Sequence, residues 1–312
     1  MEKKILVFTL SESQSGYEVG RVVEEGKRVE AGIKRVLYSD LSFEITNNQF
    51  NNDQRKIETR VFVGGKEITK ENILGIWFRV AGTTSGKYVI ARNLLIQILK
   101  EKGIFCANGE GYSKWPRMGK ITQYGVFSEN EIVVVPTRIF YKKTNVKNGL
   151  WEMEKDFKWP IIVKDSMGYQ GKSVMKLDNK KDLNSFLDQV DEKELGLYMW
   201  QKYLKTNWDL RIVVIKGKAV GAMKRSAVGD EFRSNFSLGG SVEKWNLSGK
   251  EKELAEKVAK VCGLDYCGVD LMKDKKGNNY VLEVNRACQF KGFEKATGIN
   301  MGKLVVEMFL KN

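Results

Sequence analysis

The sequence predicts a mixed α/β (α+β) protein in which an open α/β layer is followed by two further lobes built on sheets of their own. Three observations predict it. Strand-like and helix-like segments alternate over roughly the first 110 residues, as in an open sheet with helices packed on it. A strand, glycine loop, strand unit follows near residue 160, and from 196 the pattern changes to long strands. At 312 residues the chain is long enough for two or three separate cores.

Taken in order, ILVFTL (5–10) reads as a buried strand and VGRVVEEGKRVEAG as a helix. KRVLYSD and ILGIWFRV read as strands, with QFNNDQRK between them as a polar loop. YVIARNLLIQILKEKG is a helix ended by Gly103, and IFCAN a short strand. A helix near 117–127 and a strand run EIVVVPTRIFY open the second unit, and KKDLNSFLDQV is a covering helix. LYMWQKYL and DLRIVVIKGKAVGAMKRSA are strands, the latter folded at KGK; KEKELAEKVAKVCGL and MGKLVVEMFLKN are helices. These shifts set the expected divisions at 1–115, 116–198 and 199–312.

The 53 Lys and Arg against 39 Asp and Glu give a formal charge of +14, which suits acidic partners such as nucleotides, acidic peptides or nucleic acid. The same surplus follows from a composition rich in Lys and Asn. Histidine is absent, which removes the commonest general base and every imidazole-dependent nucleophile. Chemistry must then rest on carboxylates, Lys, Arg and metal. Cys106, Cys262, Cys267 and Cys288 lack paired metal spacing and read as buried thiols of a reducing compartment. No apolar stretch reaches the roughly 18 residues of a membrane span, so a cytoplasmic protein without membrane contact is expected.

The sharpest chemical feature is GVDLMKDKKGNNYVLEVN, two apolar runs joined by a Gly/Asn/Lys turn. A turn centred on Lys276 and Gly277 sets Asp270 across from Glu283, and Glu283 and Asn285 share a face. Three hard oxygen donors on one patch suit Mg²⁺ held in part by phosphate. The plain alternative is a solvated hairpin, but a carboxylate inside an apolar run is costly unless paired. Lys164 ends the strand PIIVK just before MGYQGKSV, where Gly168 and Gly171 free the backbone to meet an anion. Alone, that loop reads more readily as a simple turn of the chain than as a phosphate flap. Asp209 and Arg211 alternate onto one face, and a KGK turn centred on Gly217 pairs Arg225 with Asp209, as a site or as an ordinary cross-strand ion pair. The loop GDEFRSNFSLGG carries Arg233 and Asn235 between glycines, as a clamp or a solvated turn.

PIIVKDSMGYQGKSV, the DLR strand, FRSN followed by GG, GVDLM, LEVN and GFEKATGIN occur in this order, and together the chain resembles the ATP-grasp carboxylate-amine ligases, in their ribosomal-protein glutamate ligase (RimK-like) branch. The resemblance covers most of the chain and is strongest from 160 to 300. It implies an ATP-grasp fold: a pre-ATP-grasp domain (1–115), a central lobe with a glycine flap (116–198) and a C-terminal lobe with the metal site (199–312). Lys120 and Lys164 match lysines that hold ATP phosphates, with Gly168, Gln170 and Gly171 in the flap. Gln201 and Tyr203 match the adenine hinge, and Asp209 its ribose side. Arg225, Arg233 and Asn235 match the catalytic grip on the acceptor carboxylate and transferred phosphoryl group; Asp270, Glu283 and Asn285 match a site for two Mg²⁺ ions, with Mn²⁺ as a substitute. Two departures stand out: NRACQFKGFE, with Arg286 and Gln289, replaces the usual small residue, Pro and Gly after the metal Asn, and Lys202 replaces an acidic hinge residue.

The implied activity is formation of an amide or isopeptide bond through an acyl phosphate, adding glutamate or a similar amino acid to an acidic peptide, protein or small molecule. Peptide macrocyclisation and a non-catalytic nucleotide or RNA-binding module are the alternatives. Nucleic acid is not expected, because Trp77, Trp151, Trp159 and Trp208 fall in core-like runs rather than on a basic face. A homo-oligomer is compatible with the sequence, and no residue stands out as the base that deprotonates the amine.

Overall fold

Parallel strands buried on both faces are continuous apolar runs, and Ile5 to Phe8 is such a run, each residue 4% exposed or less. The computed structural model describes residues 3–49, 55–79, 86–168, 174–227 and 241–312. Strand β1 (Lys4–Thr9), helix α1 (Gly16–Arg28) and β2 (Gly32–Leu37) form the first unit. After a hairpin of β3 (Leu41–Gln49) and β4 (Arg55–Val63), continued by β5 (Lys66–Glu67), come β6 (Ile73–Phe78), α2 (Gly86–Glu101) and β7 (Phe105–Cys106). The parallel sheet has the order β2-β1-β6-β7. Gly103 ends α2 at φ +64°, a left-handed cap that lets the Ile104 N–H reach the Leu99 carbonyl.

The β3–β4 hairpin corrects the polar loop expected at QFNNDQRK, since both strands run into that stretch. Its root is apolar and buried at Val61 and Val63, whereas Ile45 and Ile57 farther out are 65% and 67% exposed. The hairpin reaches beyond the core, so composition at its far end does not betray a ladder.

The second sheet is antiparallel. Helices α3 (Gly109–Lys114) and α4 (Lys120–Glu129) lead to β8 (Thr137–Ile139), α5 (Lys143–Asn148), α6 (Leu150–Asp156), β9 (Ile161–Asp165), β10 (Val174–Leu177), α7 (Lys180–Gln189) and β11 (Tyr198–Lys202). Its order is β10-β9-β11-β8. Only three residues of EIVVVPTRIFY join this ladder, because Pro136 has no N–H to give and Val134 instead bridges to Val281 in the C-terminal lobe. One face packs Ile161, Val163 and Trp200 against Leu183 and Leu187 of α7. Period-two alternation turns Lys164 and Gln201 to the opposite face. β11 crosses the division expected after residue 198. Trp151 is 67% exposed on α6, contrary to the core position expected of it, with Lys155 5.3 Å from its ring.

The third sheet has the order β14-β13-β12-β15-β16, from β12 (Trp208–Ile215), β13 (Lys218–Ser226), β14 (Ser241–Trp245), β15 (Tyr266–Lys273) and β16 (Asn279–Asn285). Helix α8 (Gly249–Val261) covers one face, with Ala255, Val258 and Ala259 against Leu210, Ile212 and Val269. Helices α9 (Lys291–Thr297) and α10 (Met301–Leu310) cover part of the other, where Val213 and Met223 share one core with Val19 and Trp77 of the N-terminal layer. Along β12 that second face therefore changes from apolar at Val213 to charged at Arg211 and Asp209. Among the described residues no helix is long and apolar enough to cross a membrane.

The layers lock at Gly111, whose N–H donates to the Gly263 carbonyl at 2.9 Å. A Cβ there would lie 2.5 Å from the Cys262 carbonyl oxygen and 2.9 Å from that of Gly263. Backbone atoms cannot step aside, so Gly111→Ala is expected to lower stability by about 1–3 kcal/mol. A thermal midpoint equal to that of the parent chain would contradict this.

Candidate functional site

Two β-bulges place the charged residues. The β12–β13 turn is the two-residue pair Lys216 and Gly217, with φ of +47° and +73°. Extended without interruption, its register would set Asp209 opposite Lys224. A register shift between Val213 and Val214 instead pairs Asp209 with Arg225. The same device recurs in the next hairpin, where Lys273 pairs with Asn279 near the turn. Unshifted, Asp270 would face Leu282, but a shift between Asp270 and Leu271 pairs it with Glu283. A one-residue slip sends a side chain to the other face, so each bulge decides whether its carboxylates meet.

The result is a buried chain of alternating charge. Arg225 grips Asp209 with Nε and Nη2 at 2.6 and 2.9 Å, and its Nη2 reaches Asp270 Oδ2 at 2.9 Å. Arg211 forks onto Asp270 at 2.8 and 2.6 Å. Burial alone would raise the Asp270 carboxyl, but Arg211 and Arg225 overcome it and hold the group below its usual range. Burial likewise works against the Arg225 charge, and Asp209 and Asp270 reverse it and push its pKa up. Asn285 Nδ2 lies 3.0 Å from Glu283 Oε1 and 3.5 Å from Asp270 Oδ2.

Across the cleft, Lys120 Nζ is 3.7 Å from Glu283 Oε2 and donates to the Gly168 carbonyl at 2.5 Å. Lys164 keeps part of its surface open to the cleft, yet desolvation pushes its ammonium down to about 8 against the pull of Glu283. In the protein alone this is a cost present below about pH 8, relieved as the ammonium loses its proton above it. A bound polyphosphate favours the charged form. Nucleotide affinity should therefore fall as pH rises through about 8, and Lys164→Met should abolish that dependence and weaken binding about tenfold or more. Titration of MgATP between pH 7 and 9.5 checks this; a Lys164→Met profile parallel to the parent's would contradict it.

Asp270 and Glu283 offer hard oxygen donors, and rotation of the Asn285 amide about its last bond would present Oδ1 to the same point. Among the described residues no three His, Cys, Asp or Glu side chains form a self-sufficient cage. The donor set thus fits Mg²⁺ that completes its shell with phosphate and water, and does not fit zinc.

The structure brings together Lys120, Lys164, Gly168, Asp209, Arg225, Asp270, Glu283 and Asn285. Gln201 is buried beneath them, its Nε2 donating to Tyr124 Oη at 2.9 Å and Thr137 Oγ1 at 2.8 Å, while its Oε1 has no partner among the described residues. Tyr203 stands apart, in a cavity of about 500 Å³ with Trp159, Lys158, Lys176 and Lys205. Gln170, Gly171, Arg233 and Asn235 lie outside the described residues. Two site residues were not assigned a role from sequence. Arg211 had a signal in its alternation with Asp209; Gln123, which pins Val284 by accepting from its N–H at 2.8 Å and donating to its carbonyl at 3.2 Å, had none.

Two antiparallel sheets that close on one cleft, Lys164 from the first and carboxylates from the second, with Lys120 at the start of α4 beside Glu283, define an ATP-grasp protein. The model of the RimK-like ATP-grasp domain matches residues 118–309, and the chain belongs to that family. A probable alpha-L-glutamate ligase of Histophilus somni is 31% identical over 227 residues, 70% of this chain and 71% of that protein. The probable alpha-L-glutamate ligase 2 of Pseudoalteromonas atlantica is 36% identical over 155 residues, 49% of this chain and 51% of that protein, so the chain spans about half of this relative. Among solved structures, the ATP-grasp ligase PsnB, complexed with a phosphomimetic variant of its minimal precursor, Mg and ADP, superposes with a TM-score of 0.74 at 18% identity, covering 100% of this chain and 99% of that one. The macrocyclase MdnC of Microcystis aeruginosa, bound with its precursor peptide, gives 0.68 at 12%, covering 99% and 100%. These likenesses carry the fold.

Proposed function

We propose that the protein is an ATP-dependent carboxylate-amine ligase that makes an amide or isopeptide bond, with glutamate or a similar amino acid and an acidic peptide, protein or small molecule as partners. The observation that carries this reading is the convergence of Lys120 and Lys164 on Glu283 and Asp270 across the cleft. A carboxylate that attacks the γ-phosphorus of ATP brings two anions together. The lysines neutralise phosphate oxygens, and Arg225, held by Asp209 and Asp270, keeps a fixed positive charge beside the reacting groups. Magnesium, held by Asp270, Glu283 and Asn285 as one ion or two and replaceable by Mn²⁺, would supply charge neutralisation on the phosphates.

The carboxylate oxygen bonds to the γ-phosphorus as ADP leaves. The amine nitrogen then bonds to the acyl carbon, phosphate leaves with the former carboxylate oxygen, and the amine proton passes to solvent or a carboxylate. Four free thiols accord with work in the reducing cytoplasm.

Family membership and the named glutamate ligases support this reading. ADP release with MgATP against pools of amino acids and acidic peptides, with product masses, tests it. Gain of one amino-acid residue fits ligation between molecules, and loss of one water from a peptide fits macrocyclisation. ATP turnover indifferent to every acid and amine would contradict both.

A further inference from the structure

Every guanidinium in the charge chain at the centre of the site has a carboxylate; two others nearby have none among the described residues. Arg92 of α2 is 2% exposed and Arg286, immediately after Asn285, is half-buried. Both lie over the ring of Tyr112, at 4.1 and 4.5 Å from its centroid. Arg92 Nη2 donates to the Pro116 carbonyl at 2.7 Å and Arg286 Nη1 to the Trp115 carbonyl at 2.6 Å. Among the described residues neither has a carboxylate within ion-pairing distance. Two like charges taken from water without a counter-ion carry an unrelieved desolvation cost, and an arriving anion relieves it.

The position is informative as well. Residues 115–120 run from the carbonyl that holds Arg286 to Lys120, which pairs with Glu283, so this cation pair flanks the metal-ligand strand. Stacking and the Trp115 carbonyl fix the Arg286 plane, and its Nε and Nη2 make no hydrogen bond to a described residue. These are the two atoms with which Arg211 and Arg225 fork onto carboxylates. Replacement of a small residue by Arg in the turn after Asn285 thus gains a purpose.

We infer that Arg286, backed by Arg92, seats a carboxylate of the acid substrate and so determines specificity for a substrate with more than one acidic group. The inference rests on the ligase reading. A planar fork matches a carboxylate better than a point charge does, so charge alone should only partly replace it.

The test uses the full chain saturated with MgADP and tetraglutamate as probe, titrated by calorimetry. Arg286→Met, which keeps bulk over Tyr112, should weaken tetraglutamate binding about tenfold to a hundredfold, and Arg286→Lys should fall between the two. MgADP affinity should stay as in the parent chain, and the thermal midpoint of Arg286→Met should hold or rise, since the like-charge cost beside Arg92 is removed. Parent-like tetraglutamate binding by Arg286→Met, or none by the parent chain, overturns the inference. So does inorganic phosphate that displaces tetraglutamate from the parent, since the seat would then take a phosphoryl group. Should Arg286→Met fail to fold, Arg286→Lys decides by the same readings. Absence of MgADP binding in the parent chain would instead sink the ligase reading.

Discussion

Asp270→Ala is expected to abolish ATP-dependent turnover and to lower the unfolding free energy by about 3–5 kcal/mol. The large cost follows from position rather than from net worth of the ion pairs. Asp270 is 3% exposed and receives both Arg211 and Arg225, so its removal leaves the part-buried Arg211 with no carboxylate partner among the described residues and the buried Arg225 with Asp209 alone among them. The same carboxylate is a proposed metal ligand, so chemistry and stability should fall together. Asp270→Asn separates them in part, since it keeps volume and one acceptor while removing charge. Denaturant unfolding of both variants beside turnover checks this, and an Asp270→Ala protein as stable as the parent would contradict the network's role. Because the pair is held ionised by Arg211 and Arg225, its stabilisation should be present at neutral pH and lost as pH falls below the ordinary carboxylate range.

Glu283→Gln is expected to lower turnover by about a thousandfold or more and to leave stability nearly unchanged. Glu283 is half-buried, and among the described residues it meets Lys120 at a long 3.7 Å and the amide of Asn285, which glutamine can also meet, while its pull on Lys164 acts without a direct hydrogen bond. What the variant loses is a negative oxygen for magnesium. The Mg²⁺ concentration that gives half-maximal turnover should therefore rise, whereas the thermal midpoint without nucleotide should not move. Paired with Asp270, this substitution distinguishes a residue that both builds and serves the site from one that chiefly serves it. Parent-like turnover by Glu283→Gln would remove it from the metal site.

Much of the fold was legible because burial leaves direct traces: continuous apolar runs at Ile5 to Phe8, period-two alternation at Asp209 and Arg211, a glycine stop at Gly103. The site was legible for a different reason. Asp270 and Glu283 stand inside apolar runs where an unpaired carboxylate is costly, and that cost announces a partner. What stayed hidden depends on features with no local signature. The β3–β4 hairpin extends beyond the core, so its outer residues are free of hydrophobic patterning. EIVVVPTRIFY has strand composition throughout, yet only Thr137–Ile139 joins the sheet because Pro136 interrupts the ladder.

The bulges show a subtler limit. Pairing of Asp209 with Arg225 and of Asp270 with Glu283 was expected from turns centred on Gly217 and on Lys276 with Gly277. The pairs form, but through a tighter turn than expected in the first hairpin and a longer loop in the second, each corrected by one extra residue in the ladder. Sequence alternation specifies which residues share a face near the site, and separately which residues turn; the bulge reconciles the two. Arg211 went unassigned because its partner, Asp270, lies on a strand 59 residues away.

On the ligase reading an acid is primed as an acyl phosphate in the cleft between the central and C-terminal sheets. The most direct measurement follows ¹⁸O from the carboxylates of labelled acidic peptides and glutamate during turnover with MgATP. One ¹⁸O is expected in each phosphate released, together with a matching amide product. Phosphate that carries only solvent and nucleotide oxygen would show that water, not the acid, takes the phosphoryl group, and would contradict that reading.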